Sequence, residues 1–160
     1  MSARVEPFER VVEEHGTVVL RVCRALVGPD AAHDAWSETF LAALVAYPRL
    51  RPGSDVRAWL VTIAHRKSVD VLRVRARQAV PVGDPPEPVS TGEHPGDGRS
   101  ELWAAVAALP PKQRQCVAYH HVAGLPYDEV AALVGGTAAA ARRAAADGMS
   151  TLRRTLREDQ

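Results

Sequence analysis

The sequence predicts an all-α chain folded as two small helical domains joined by a flexible, acidic tether. Three observations carry this expectation. Of the 160 residues 46% are hydrophobic, mostly Ala, Val and Leu, and only 5% are aromatic, a balance that suits closely packed helices. Apolar residues recur at helical spacing in both halves. Between the halves, residues 79–98 hold Pro81, Pro85, Pro86, Pro88 and Pro95 with Gly83, Gly92, Gly96 and Gly98. Proline and glycine at that density remove helix hydrogen bonds and multiply turns. The expected division is therefore 1–78, a linker over 79–98 and 99–160.

Three helices are expected before the linker. The first covers roughly Pro7 to Val27, with Phe8, Val11, Val12, Val18, Val19, Val22 and Leu26 as its apolar stripe. Gly28-Pro29-Asp30 ends it, and Asp30 can cap a second helix from Ala31 to about Ala46. Tyr47 to Ser54 contains two prolines and a glycine and reads as a loop. Ser54 or Asp55 then caps a third helix reaching about Arg77. On it, Val56, Leu60, Ile63, Ala64, Val71 and Val74 share one side, and Lys67 lies inside that apolar sector, so its stem should snorkel past its neighbours.

After the linker, helices are expected at about 99–108, 111–122, 126–134 and 137–156. Pro111 opens one of them, where its missing N–H costs nothing. Gly124-Leu125-Pro126-Tyr127 opens the next, and the Gly135-Gly136 step admits the last behind Thr137, a good N-cap. A small residue at Ala131 and a turn glycine at Gly135 give the final pair the form of a helix-turn-helix, a unit that places its second helix in the DNA major groove.

Composition sets limits on function. The formal net charge is +1, so any nucleic-acid contact must come from local clustering of charge. The linker carries Asp84, Glu87, Glu93 and Asp97 with no Lys or Arg before Arg99. No charged-then-apolar leader and no apolar run approaching twenty residues is visible, and the two cysteines, Cys23 and Cys116, lie in different halves. A reduced cytoplasmic setting without membrane insertion is expected.

Chemistry-bearing positions fall into four groups. Arg66, Arg73 and Arg77 lie along one line of the third helix, and guanidinium groups in a row suit phosphate oxygens; a solvated charged face is the plainer reading. Tyr47, Arg49 and Arg51 lie in the loop before that helix, where an aromatic beside arginines can stack on an unpaired base. Asp34, Ser37, Glu38 and Leu41 are three or four residues apart and share a face that could meet a partner protein. Arg142 and Arg143, in the last helix behind Thr137, are placed to meet phosphate or guanine among alanines that offer base edges no hydrogen bond. No catalytic residue, metal site or cofactor is expected: Cys116 and His120 form half a metal site without a second pair, His120-His121 reads as a surface or core pair, and no phosphate-binding glycine loop occurs.

Two blocks carry a family resemblance over almost the whole chain. Ala32-His33-Asp34-Ala35-Trp36-Ser37-Glu38-Thr39-Phe40-Leu41 and Ala58 through Arg73 resemble region two of bacterial sigma factors of the extracytoplasmic-function group. Leu109-Pro110-Pro111-Lys112-Gln113-Arg114 and Gly124 through Gly135 resemble region four. The resemblance implies that Asp34, Ser37, Glu38 and Leu41 bind the clamp helices of core RNA polymerase. It also implies that Tyr47 to Arg51 capture an unstacked promoter base, and that Arg66, Arg73 and nearby basic residues hold the melted strand. Region four would read the minus-thirty-five element with Thr137, Arg142 and Arg143 and touch the polymerase flap. The linker would thread into the basic active-site and RNA-exit channel, and an anti-sigma factor would be a further partner. Against the family pattern, Ser37 replaces a usual glutamine and Arg66 a usual asparagine. Ala140-Ala141-Arg142-Arg143-Ala144 is poor in polar groups, and Asp147-Gly148 stands where basic and small residues are common. A glycine inside a helix costs about 1 kcal/mol relative to alanine.

The first expectation is a non-enzymatic sigma factor that directs promoter recognition, melting and initiation. The alternatives are a helix-turn-helix regulator acting on duplex DNA without polymerase, and a degenerate sigma-like interaction protein. An enzyme comes last.

Overall fold

The computed structural model describes residues 6–78 and 98–159; the stretch predicted to be an acidic linker lies outside them apart from Gly98. Within the described residues the secondary structure is entirely helical. Helix α1 spans Phe8–Val27, α2 Pro29–Ala46 and α3 Val56–Gln78, with a single 3-10 turn at Tyr47–Arg49. The second described stretch holds α4 Gly98–Ala107, α5 Pro111–Val117, α6 Tyr127–Val134 and α7 Ala138–Glu158. A π turn, Ala118–Val122, continues directly from α5.

Most boundaries follow from local chemistry. Gly28 closes α1 at φ 85°, and its N–H donates to the Arg24 carbonyl; a side chain there would be strained. Pro29 follows at once as the first residue of α2, where its fixed φ suits a helix start. Asp30 therefore does not cap α2 from outside, as the sequence predicted. It sits in the first turn, where a carboxylate still favours the helix dipole. At α3 the cap is Asp55, whose Oδ1 accepts from the Ala58 N–H at 3.1 Å. The Ser54 hydroxyl turns back to the Arg51 carbonyl instead.

In the first unit α1, α2 and α3 pack mutually around Val11, Val19, Val22, Leu26, Phe40, Leu60 and Val61. Trp36 Nε1 donates to the Gly16 carbonyl at 2.9 Å, tying α2 to α1 at a buried glycine. Both phenylalanines join Trp36, Tyr47 and Trp59 in one aromatic chain, with neighbouring centroids 4.6–6.3 Å apart. Along α3, Leu60, Val61, Ala64 and Ser68 are buried, whereas Val74 is 49% exposed. The predicted apolar side thus holds in its first three turns and loses Val74, because residues 73–78 are all exposed. Cys23 and Cys116 are both free and buried, and burial pushes the Cys23 thiol up to about 12.

In the second unit α7 lies across α5, α6 and α4. The glycine inside α7 has a packing reason. Gly148 is buried, and a Cβ there would come within 2.8 Å of Val117 Cγ2 on α5. Only a bare backbone lets these helices approach so closely.

The two units pack against each other. α1 touches α4, α5 and the π turn, and one continuous apolar cluster runs through both halves. Arg114 on α5 donates to the Leu26 carbonyl at 3.3 Å and to Leu109 at 3.1 Å. Arg75 donates to Val27 at 2.7 Å. Cationic side chains from α3 and α5 thereby satisfy carbonyls left open at the end of α1. Arg24 lies over the Trp103 ring at 5.8 Å. Tyr119, fully buried on the π turn, hydrogen-bonds His65 Nδ1 of α3.

Candidate protein and nucleic-acid interfaces

The α2 face predicted to meet a partner is on the surface. Asp34, Ser37, Glu38 and Leu41 are all exposed, and the spacing places them along one side. The structure adds Leu44 and Val45, which the sequence reading did not single out. Leu41, Leu44 and Val45 are 59%, 51% and 79% exposed. Three large apolar side chains within five residues make a patch suited to docking. The available signal was that α2 is apolar on more sides than one core can cover. Beside this face a groove of about 330 Å³ runs between α2 and α3, lined by Asp34, Glu38, Lys67, Val71 and Val74. Lys67 is half-buried there.

On α3, Arg66, Arg73 and Arg77 are exposed. At 1.5 Å per residue they climb the helix in steps of about 10.5 and 6 Å. Arg49 and Arg51 are exposed in the preceding loop. Tyr47 is half-buried: its ring packs 5.4 Å from Phe8 and 6.3 Å from Trp59, and its hydroxyl donates to the Glu6 carbonyl. Trp59 also lines a groove of about 320 Å³ shared with Thr62 of α3 and Leu125, Glu129 and Leu133 of the second unit. It is a further candidate that the sequence reading passed over, though tryptophan is scarce in this chain.

His65 faces that same interface. Burial first, then the neighbouring Arg66 charge, lower its pKa from the ordinary value. Desolvation raises that of Tyr119. Burial thus disfavours both the charged imidazolium and the phenolate, and the hydrogen bond joins two groups each held toward its neutral form.

The helix-turn-helix is formed by α6 and α7. Ala131 is buried under the turn, and Gly135 and Gly136 adopt φ 86° and 88°, where side chains are disfavoured. Thr137 Oγ1 accepts from the Ala140 N–H at 3.1 Å, the predicted N-cap. Arg142 and Arg143 are exposed near the start of α7. Further along, Arg153, Arg154 and Arg157 line a groove of about 390 Å³ with Ser150. Their spacing was visible in the sequence, but the emphasis on the helix start left them out. Asp147 is exposed between the two basic groups. Cys116 and His120 do not share a site: the thiol is buried, while His120 Nδ1 donates to the Leu125 carbonyl at 2.8 Å. No helix of the described residues is long and apolar enough to cross a membrane.

Comparison with known proteins gives this geometry a family. Residues 11–78 match the model of Sigma-70 region 2, and residues 99–152 that of Sigma-70, region 4. The ECF RNA polymerase sigma factor SigD of Mycobacterium tuberculosis (strain ATCC 25618 / H37Rv) is 34% identical over 148 residues, covering 84% of this chain and 70% of SigD. The RNA polymerase sigma factor CarQ of Myxococcus xanthus is 29% identical over 163 residues, covering 96% of this chain and 91% of CarQ. Among solved structures, the sigma factor RpoE of Bartonella quintana, crystallised with the anti-sigma factor NepR, superposes with a TM-score of 0.71 at 22% identity, over 95% of this chain and 99% of RpoE. CnrH in complex with the cytosolic domain of CnrY gives 0.66 at 20% identity, over 96% and 89% of the two chains. At such identities these likenesses speak to the fold alone. The two family regions and the relatives together establish that this chain belongs to the RNA polymerase sigma factors of the extracytoplasmic-function group.

Proposed function

We propose that the chain binds core RNA polymerase through α2 and confers promoter recognition and melting through α3 and α7. The observation that carries this reading is the pairing, on one helical unit, of an exposed apolar-acidic face on α2 with an exposed line of arginines on α3. Asp34, Ser37, Glu38 and Leu41, with Leu44 and Val45, would seat on the clamp helices. Burial of the apolar patch drives that association, and the carboxylates select a basic or mixed surface. Arg66, Arg73 and Arg77 would then hold the phosphates of the separated strand. Arg49, Arg51 and the exposed part of the Tyr47 ring would take up an unstacked base. Melting follows when this binding energy offsets unpairing.

On this reading α6 and α7 dock at the minus-thirty-five element and α5 sits toward the flap, with the 79–98 linker joining this unit to the first. Thr137, Arg142 and Arg143 face DNA, and Arg153, Arg154 and Arg157 extend the basic surface. The chain acts in the cytoplasm, where the polymerase is, as a non-enzymatic subunit. By analogy with RpoE, solved in complex with the anti-sigma factor NepR, an anti-sigma factor would hold it inactive.

The test is capture of core RNA polymerase by the purified chain, followed by run-off transcription. Arg73→Glu should abolish open-complex formation, read by permanganate footprinting, and leave core binding unchanged. Open complexes at the normal level in that variant would remove α3 from the strand-holding role. Tight core binding by the native chain without any transcript would select the degenerate interaction protein instead.

A further inference from the structure

We infer that Tyr127 is a positioning residue for Arg142, holding its guanidinium over the phenol ring while leaving its hydrogen-bond donors free for DNA; this rests on the reading of α7 as the promoter-facing helix. Tyr127 is the first residue of α6, after Pro126. Its half-buried ring is stacked on His120, with centroids 3.8 Å apart and planes 15° from parallel. His120 is itself fixed, since its Nδ1–H donates to the Leu125 carbonyl at 2.8 Å. The π turn that carries His120 and the loop that ends at Pro126 thus form a rigid backing for the phenol ring. Over that ring, 5.2 Å from its centroid, lies the Arg142 Cζ.

The contact matters for what it does not consume. A carboxylate partner would occupy two of the five N–H donors in a forked pair. Among the described residues Arg142 makes no ion pair and donates no hydrogen bond to protein; its one recorded partner is a π face. A guanidinium resting on an aromatic ring keeps its in-plane donors open, and those donors are what a phosphate or the edge of guanine requires. The side chain is exposed and would otherwise sample many rotamers, and ordering them costs affinity when DNA binds. The stack meets part of that cost beforehand. In a helix whose neighbouring positions 138–141 are all alanine, one pre-ordered arginine carries a large share of the readout.

The experiment uses holoenzyme assembled from core polymerase and the full chain, with the promoter duplex that supports run-off transcription as probe, and reads affinity by competition. Tyr127→Phe keeps the ring and should bind as the native chain does. Tyr127→Leu should weaken binding about two- to five-fold, the worth of a cation–π contact at an exposed site. In an Arg142→Ala background the same Tyr127→Leu change should have no further effect. Equal loss in both backgrounds, or loss in Tyr127→Phe, overturns the inference and leaves Tyr127 a structural residue. Should the leucine variant melt early, Tyr127→Met repeats the cycle with a more pliable side chain, and the same outcomes decide. If Arg142→Ala alone binds like the native chain while transcription persists, the inference falls and the sigma-factor reading stands. Failure of the native chain to bind core polymerase removes both.

Discussion

Replacing Gly148 with alanine sets two effects of opposite sign against each other. Within a helix the change gains about 1 kcal/mol, because glycine gives up more backbone freedom on folding. Against this, the added Cβ would lie 2.8 Å from Val117 Cγ2 and 3.5 Å from both the Cβ and the carbonyl of Gln113. Comfortable carbon–carbon contact begins near 3.5 Å. Val117 is buried, and a β-branched side chain in a helix has one strongly preferred rotamer, so it cannot swing aside. Overpacking of this kind costs about 1–3 kcal/mol. Gly148→Ala should therefore leave stability unchanged or lower it by up to about 2 kcal/mol. Val117→Ala removes the obstruction at its own cost of about 1–3 kcal/mol. In that background Gly148→Ala should become stabilising by about 1 kcal/mol. Urea midpoints by circular dichroism for the four chains of the cycle give the coupling directly. A gain of about 1 kcal/mol from Gly148→Ala in the native background, undiminished by Val117, would refute the close-approach argument.

Other perturbations separate the surfaces. Val45→Asp alters a side chain that is 79% exposed, so stability should stay within about 0.5 kcal/mol, while capture of core polymerase should fall at least ten-fold in a pull-down titration. Thr137→Ala removes the acceptor for the Ala140 N–H and should cost about 1 kcal/mol in a denaturant midpoint, with Thr137→Ser restoring most of it. Stability should also respond to acid through His65, whose folded pKa is lowered by burial and by Arg66. Above pH 6.5 the ring is neutral in both folded and unfolded chains; as pH falls through 6.5 the unfolded chain takes up a proton that the folded one resists, and stability drops. His65→Gln should flatten the decline in urea midpoint between pH 7.5 and 5.5 without abolishing it, because His121 is shifted in the same direction by burial, His120 and Arg153.

The local order of this chain was legible in its sequence because its punctuation is local. Gly28-Pro29, the prolines around Arg49, Pro110-Pro111 and Gly135-Gly136 stop and start helices through their own backbone geometry, wherever the rest of the chain lies. The arginine line on α3 and the Thr137 cap are properties of one helix, so periodicity and residue chemistry were enough to find them. Tertiary structure alone decided what depends on residues far apart in the chain. Tyr119 meets His65 across 54 positions, and Arg114 reaches the end of α1 across 88. Gly148 is required by Val117 rather than by its own helix. Leu44 and Val45 are exposed because α1 and α3 cover other sides of α2. Helical pattern says which residues share a face, but which of two apolar faces is covered depends on the packing of all the helices together.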